Sequence, residues 1–270
     1  MDLAATLAEV REKLGRAGSI VILTGAGVSA ESGVPTFRDA QTGFWARMSP
    51  EELATPDAFR RDPGLVWRWY RERIRGVMAC RANAAHRAIA QLLVDRPEAT
   101  LVTQNVDGLH QLALEACLDE ADAGAAAGIR ERILPLHGNL LSCRCTSCTH
   151  REPAPTVAEA GAWTDEAAPL PRCARCGAPG RPDVVWFGEM LPEETLTRAF
   201  EAADEAEFCL VVGTSAVVHP AASIPLATLR SGGQVVEVNP ERTPLSDSAR
   251  WCLRGPAAEI VPELIHDPRS

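Results

Sequence analysis

Ile20-Val21-Ile22-Leu23-Thr24 runs without a break into Gly25-Ala26-Gly27-Val28-Ser29-Ala30. A short, apolar run of this kind reads as a strand buried on both faces. The turn after it matches G-x-G-x-x-A. Glycines there let the backbone approach a pyrophosphate, and the next helix offers unpaired N–H groups. The same turn could also close a strand-to-helix connection with no ligand. Its place directly after a buried strand favours the dinucleotide.

Outward from that turn the pattern repeats. Apolar runs recur at Leu101–Thr103, Ile133–Leu136, Val184–Phe187, Phe208–Val212 and Val235–Val238. The stretches between them are mostly long enough for crossover helices, such as Ala84–Val94 with Ala85, Ile89 and Leu92 or Leu93 on one side. Leu3, Leu7, Val10 and Leu14 predict a helix at the start. The expectation is an α/β fold, a Rossmann-like doubly wound parallel sheet. Two stretches interrupt it, about 40–80 and about 141–182. They are expected to form a smaller lobe from a helical insertion and a zinc-ribbon insertion. The core would then be about 1–39, 81–140 and 183–270, within one domain over 1–270.

Composition narrows the function. Hydrophobic residues make up 46% of the 270 and charged residues 23%, as in an ordinary globular protein. Arginines and lysines number 27 against 36 acidic residues, a charge of −9, which argues against nucleic-acid partners. Lys13 is the single lysine, read as a mark of a GC-rich genome. No apolar run is long enough for a membrane span, and the N-terminus lacks the order of a signal peptide. A cytoplasmic monomer is expected.

A dehydrogenase would next show a second strand ending in an acidic residue about 20 residues on, for the ribose. Here Glu31-Ser32-Gly33-Val34-Pro35-Thr36-Phe37-Arg38-Asp39 follows instead. A loop carrying Phe37 and Arg38 would cover the dinucleotide, the aromatic against a ring and the arginine against a phosphate. This departure speaks against hydride transfer.

Nine cysteines include two C-x-x-C pairs, Cys145/Cys148 and Cys173/Cys176. Two such knuckles supply four thiolates for tetrahedral zinc. Four protein ligands leave no open position, so the metal is expected to be structural. Cys143 has the wrong spacing for a knuckle. Cys80, Cys117, Cys209 and Cys252 are expected in the core.

The stretch GAGVSAESGVPTFRD, residues 25–39, resembles the signature of the sirtuins, NAD-dependent protein lysine deacylases. TQNVDGLH (103–110) and LHGNL (136–140) resemble their second and third motifs. RPDVVWFGE (181–189), GTSAVVHPAA (213–222) and VNPE (238–241) continue the likeness over nearly the whole chain. The resemblance implies that the acyl-lysine carbonyl attacks the ribose of NAD as nicotinamide leaves. His137 would be the general base that activates a ribose hydroxyl. Asn105 and Asp107 would hold the nicotinamide pocket, with Ala26 and Phe37 beside it. Gln104 and Ser29 would bind the ribose and phosphate region, and Gly25 and Gly27 are further implied cofactor contacts. Gly213, Thr214, Ser215, Asn239 and Ala257 complete the implied cofactor contacts. The peptide would lie between two lobes and pair with Val185-Trp186-Phe187-Gly188. His86, His150 and His266 read as structural.

Asp62-Pro63 predicts a helix start, and in that helix Val66, Tyr70, Arg73 and Val77 share a face. A guanidinium on an apolar stripe needs an anionic partner. Tyr70-x-x-Arg73 resembles the pair marking sirtuins that act on succinyl- and malonyl-lysine, and Ala54 matches the small residue that widens their pocket. The competing structural reading is a packed tyrosine and a rim ion pair. Two other functions remain possible: a mono-ADP-ribosyltransferase on the same NAD site, and a silent zinc-ribbon module on an inactive NAD fold.

Overall fold

The computed structural model describes residues 3–34, 50–118, 123–154 and 169–265. Phe37, Arg38 and His266 lie outside the described residues.

Six parallel strands form the main sheet: β1 (Ile20–Thr24), β2 (Ala99–Thr103), β3 (Ile133–Pro135), β7 (Phe208–Val212), β8 (Gln234–Val238) and β9 (Trp251–Leu253), in the order β3-β2-β1-β7-β8-β9. Every residue of β1 and β7 is buried. Continuous apolar runs form here because helices cover both faces. Leu7, Val10, Ile89, Leu93 and Val261 pack on one face, and Ala199, Ala203, Ile224 and Ala227 on the other.

A second, antiparallel sheet holds β4 (Gly138–Cys145), β5 (Arg151–Pro153) and β6 (Gly180–Val184), in the order β5-β4-β6. This corrects the expectation that Val184–Phe187 is a strand of the parallel sheet. Its first residue ends β6, and the rest leaves the ladder as a loop. The strand β9, carrying Trp251, was not foreseen because its apolar run is too short to stand out.

The two interrupting stretches do meet in one core. Val66, Trp67, Tyr70 and Ile74 of the helix Pro63–Met78 are buried with Leu140, Cys143 and Val184. The Trp67 indole N–H donates to the Gly180 carbonyl at 2.9 Å. Asp62 caps that helix by accepting from the Leu65 amide at 2.8 Å, and Pro63 follows it, as the dipeptide implies.

Of the four cysteines expected in the core, only Cys209 is buried; Cys80, Cys117 and Cys252 are half-exposed. They flank buried elements, which the sequence pattern does not separate from lying within them.

Candidate active site

In an open α/β sheet, ligands bind beyond the C-terminal strand ends where the strand order reverses. Here that point lies between β1 and β7. The turn after β1 and the turn after β7 interlock there. A Cβ on Gly25 would sit 2.8 Å from the Thr214 Cα, and one on Gly27 would sit 2.7 Å from the Gly213 Cα. Gly213 has φ +60°, and its added Cβ would meet the Val28 nitrogen at 2.4 Å. Contact between the two turns thus accounts for glycine at all three positions. The helix that follows is a single turn, Gly27–Ala30.

The residues after β2 and β3 converge on this seam. The Gln104 amide donates to Thr214 Oγ1 at 2.9 Å, and its carbonyl lies 2.9 Å from His137 Nδ1. That contact makes Nδ1 the protonated nitrogen of neutral His137 and leaves Nε2 as the basic one. Burial lowers the His137 pKa, partly offset by the Gln104 carbonyl. The imidazole is therefore neutral at pH 7 and can accept a proton.

Behind these residues lies a buried polar network. Ser29 is 1% exposed, and its hydroxyl donates to Asp107 Oδ2 at 2.7 Å. Ser29 Oγ in turn accepts from Asn105 Nδ2 at 3.1 Å and from His86 Nε2 at 3.2 Å. The Leu109 amide donates to the other Asp107 oxygen at 2.9 Å. Burial raises the Asp107 pKa, while these two donors work against that. Ser29 therefore orders Asn105 and Asp107. A second chain runs from His110 Nε2 to Thr24 Oγ1 at 3.0 Å, on to Thr103 Oγ1 at 2.9 Å, and then to the Asn105 amide at 3.1 Å. His110 ends the stretch 103–110, but the sequence pattern assigns it no role of its own. Asn83-x-x-His86 is a capping spacing, and both halves of that box form.

Burial pushes His86 down to about 4, and His110 shifts the same way. In the unfolded chain both titrate near 6.5. On acidification the unfolded state takes up protons first, so stability falls as pH drops from about 6.5 toward 4. Denaturant midpoints compared at pH 7 and pH 5 check this. Equal midpoints would contradict neutral, buried histidines.

Asn239 follows β8 and donates from Nδ2 to the Thr214 carbonyl at 2.8 Å. Arg254 supports that loop through the Glu241 carbonyl and the buried Glu237, both at 2.8 Å. Thr214 is buried and Ser215 half-buried beside it. Ala257 is buried at the start of the helix Ala257–Ile265, whose Ala258 amide donates to Glu31 at 2.8 Å.

Three consecutive residues link this site to the smaller lobe. The Val185 amide donates to the His137 carbonyl at 2.9 Å. The Trp186 indole N–H donates to the Tyr70 hydroxyl at 2.9 Å. The Phe187 amide donates to the Ala54 carbonyl at 2.9 Å. The Trp186 amide is also taken, by Glu189 Oε2 at 2.8 Å. The N–H groups of Val185, Trp186 and Phe187, three of the four residues whose backbone groups are expected to pair with a peptide, thus bond within the protein. The Trp186 side chain is core, at 2% exposure, whereas Phe187 is 45% exposed. Arg181 braces the loop by pairing with Glu189 at 2.6 Å.

Tyr70 is buried, and burial pushes its hydroxyl pKa up, so it stays protonated at neutral pH. Arg73 is half-buried, with its guanidinium carbon 4.9 Å from the Trp69 ring centroid. Burial lowers its pKa, and the nearby Tyr70 acts in the opposite direction. The fully packed arginine of this helix is Arg71, 4% exposed, donating to the Pro169 carbonyl at 2.9 Å.

The Sγ atoms of Cys145, Cys148, Cys173 and Cys176 all lie within 4.8 Å of one another. Cys145 and Cys176 are 3.4 Å apart, and Cys148 and Cys173 are 3.7 Å apart. A tetrahedral zinc with bonds of about 2.3 Å sets its sulfurs about 3.8 Å apart. The four thiols fit that ion. The Ser147 and Cys148 amides both donate to the Cys145 sulfur at 3.3 Å. Cys143 is buried in the lobe core, where burial pushes its thiol up to about 12.

The profile of the Sir2 family matches residues 25–220. An NAD-dependent protein deacylase 1 of Pseudomonas aeruginosa is 48% identical over 260 residues, covering 95% of this chain and 96% of that protein. An NAD-dependent protein deacylase 1 of Archaeoglobus fulgidus is 46% identical over 254 residues, 93% of each. A crystal structure of a Sir2 homolog–NAD complex superposes with a TM-score of 0.79 at 42% identity, covering 96% of this chain and 92% of that one. A Sir2 structure bound to acetylated peptide superposes at 0.76 with 29% identity, covering 94% and 95%.

Proposed function

The chain belongs to the Sir2 family, and on that premise we propose that this NAD-dependent protein deacylase removes succinyl and malonyl groups, as well as acetyl, from lysine side chains. The deacylase reading rests on the seam between the β1 and β7 turns, where His137 Nε2 is the free base beside Gln104, Asn105 and Asp107. NAD supplies the ADP-ribosyl group that receives the acyl group as nicotinamide departs. The Gly25–Gly27 turn, Gln104, Gly213, Thr214, Ser215, Asn239 and Ala257 would hold it. Asn105 and Asp107 would shape the nicotinamide end, pre-set by Ser29. His137 Nε2 would take the proton of a ribose hydroxyl, and the Gln104 carbonyl would steady the imidazolium so formed. The four cysteines would hold one structural zinc ion. Thiolate ligands suit a reducing compartment such as the cytoplasm. No described helix is long and apolar enough to cross a membrane.

The acyl preference rests on Tyr70 and Arg73, one helical turn apart, in the lobe joined to His137 through Val185–Phe187. A succinyl carboxylate placed in an apolar pocket needs a paired charge and hydrogen bonds. Arg73 can supply a two-pronged donor and Tyr70 a hydroxyl. Acetyl has no carboxylate and gains from neither. The substrate peptide would pair with the 185–188 loop through backbone groups other than the Val185, Trp186 and Phe187 amides, which are engaged.

A panel of acetyl-, malonyl- and succinyl-lysine peptides assayed with NAD tests the reading. Arg73→Met should lower kcat/KM for succinyl peptides by an amount corresponding to about 2–5 kcal/mol, with little change for acetyl. Tyr70→Phe should have a smaller effect in the same direction. Equal losses on both substrates would leave the pair a support of the lobe. Wild type silent on succinyl-lysine would leave a plain deacetylase.

A further inference from the structure

Trp186 has a role that its burial alone does not explain. It sits in a rigid mount. The Arg181 guanidinium carbon lies 3.2 Å from the centroid of its ring, and the Phe59 ring is 5.3 Å away. Its own amide is held by Glu189, which also pairs with Arg181. The mount fixes the direction of one polar group, the indole N–H, and that group donates to the Tyr70 hydroxyl.

An indole N–H only donates, whereas a phenol both donates and accepts. With Trp186 filling the accepting side, the Tyr70 hydroxyl keeps its proton for another partner. Phenol and indole rings lie 6.4 Å apart, so the hydroxyl cannot turn away without losing this bond. Donating to the phenol oxygen also polarises its O–H and strengthens it as a donor. The same loop ties Ala54 and His137 in register through Phe187 and Val185.

We propose that Trp186 is a positioning residue for acyl selectivity: its indole N–H sets the Tyr70 hydroxyl to donate to the carboxylate of a dicarboxylic acyl group. The inference rests on the reading of Tyr70 and Arg73 given above. Acetyl-lysine does not call on this hydroxyl, so Trp186 matters little for its turnover through this route.

The test is a double-mutant cycle. Trp186→Phe keeps the apolar ring and removes the N–H. It should lower kcat/KM for succinyl peptides about three- to tenfold, the scale of one neutral hydrogen bond. Any loss on acetyl peptides reports the peptide-binding loop that carries Trp186, so the quantity read is the succinyl-to-acetyl ratio of kcat/KM, which should fall about three- to tenfold. In the Tyr70→Phe background, Trp186→Phe should add no further selective loss. Equal loss on both substrates, or full additivity in the cycle, would overturn the proposal.

A second measurement does not depend on the stability of Trp186→Phe. In 15N-tryptophan-labelled protein, Tyr70→Phe should shift one indole N–H resonance strongly. In wild type that same resonance should move further when succinyl-lysine peptide is added than with acetyl-lysine peptide, which meets the same loop but not the hydroxyl. No response to succinyl peptide, or equal responses to both, would overturn the proposal. If wild type fails to cleave succinyl-lysine at all, the acyl reading itself falls, which the cycle's acetyl arm tells apart from failure of the Trp186 role.

Discussion

His137→Ala is expected to lower deacylase turnover by roughly two to four orders of magnitude, the usual contribution of a positioned general base. NAD affinity should change little, because this ring bonds to the Gln104 backbone carbonyl while the Gln104 side chain keeps its bond to Thr214. A fall in kcat with an unchanged NAD dissociation constant is therefore the signature. Burial also sets the pH dependence. A depressed pKa keeps the base neutral until the pH drops below the ordinary histidine value of about 6.5. The acid limb of the wild-type kcat/KM profile should lie below that pH, with activity lost as His137 takes up a proton. Near wild-type turnover in the alanine variant would remove His137 from the chemistry.

Cys173→Ser should cost both zinc and the folded lobe. Apparent binding free energies of structural zinc are about 10–16 kcal/mol, larger than the stability of a typical domain. The ligands sit where the small sheet needs them. Cys145 ends β4, and Cys173 and Cys176 precede β6. Without the ion, the knuckles are left to the bonds of the Thr146 amide and hydroxyl to the Pro179 carbonyl and to the end of the β4–β6 ladder, and β6 loses an anchor beside Gly180, the carbonyl partner of Trp67. Atomic absorption should find about one zinc per wild-type chain and none in Cys173→Ser, with loss of near-ultraviolet dichroism. Cys143→Ser should keep the zinc. Full zinc content in Cys173→Ser would end the four-thiolate assignment.

Most strands of the main sheet were legible because burial on both faces leaves unbroken apolar runs. Val184–Phe187 carried the same signal for a different cause. Val184 and Trp186 are buried in the smaller lobe, so apolarity there reports packing and not membership of the parallel sheet. The four zinc ligands were legible because metal geometry imposes spacing on sequence. His137, Asn105 and Asp107 were found through motif likeness. Their supports were not: His110 reaches Asn105 through Thr24 and Thr103, three links with no sequence period. The glycines of the first turn were read as room for a pyrophosphate. Their nearest neighbours are Gly213 and Thr214, far along the chain, a contact that no local pattern can announce.

That contact has a consequence for how the protein is made. Synthesis proceeds from the N-terminus, and β1 emerges long before β7 and the Gly213 turn. Until then one edge of β1 is an open row of donors and acceptors, an aggregation hazard for a nascent chain. Half of the dinucleotide platform is also missing. A ribosome stalled before residue 213 should display a chain that already owns the zinc knuckles and His137 yet retains no nucleotide. Adding NAD to a translating system would protect only chains that have passed that point.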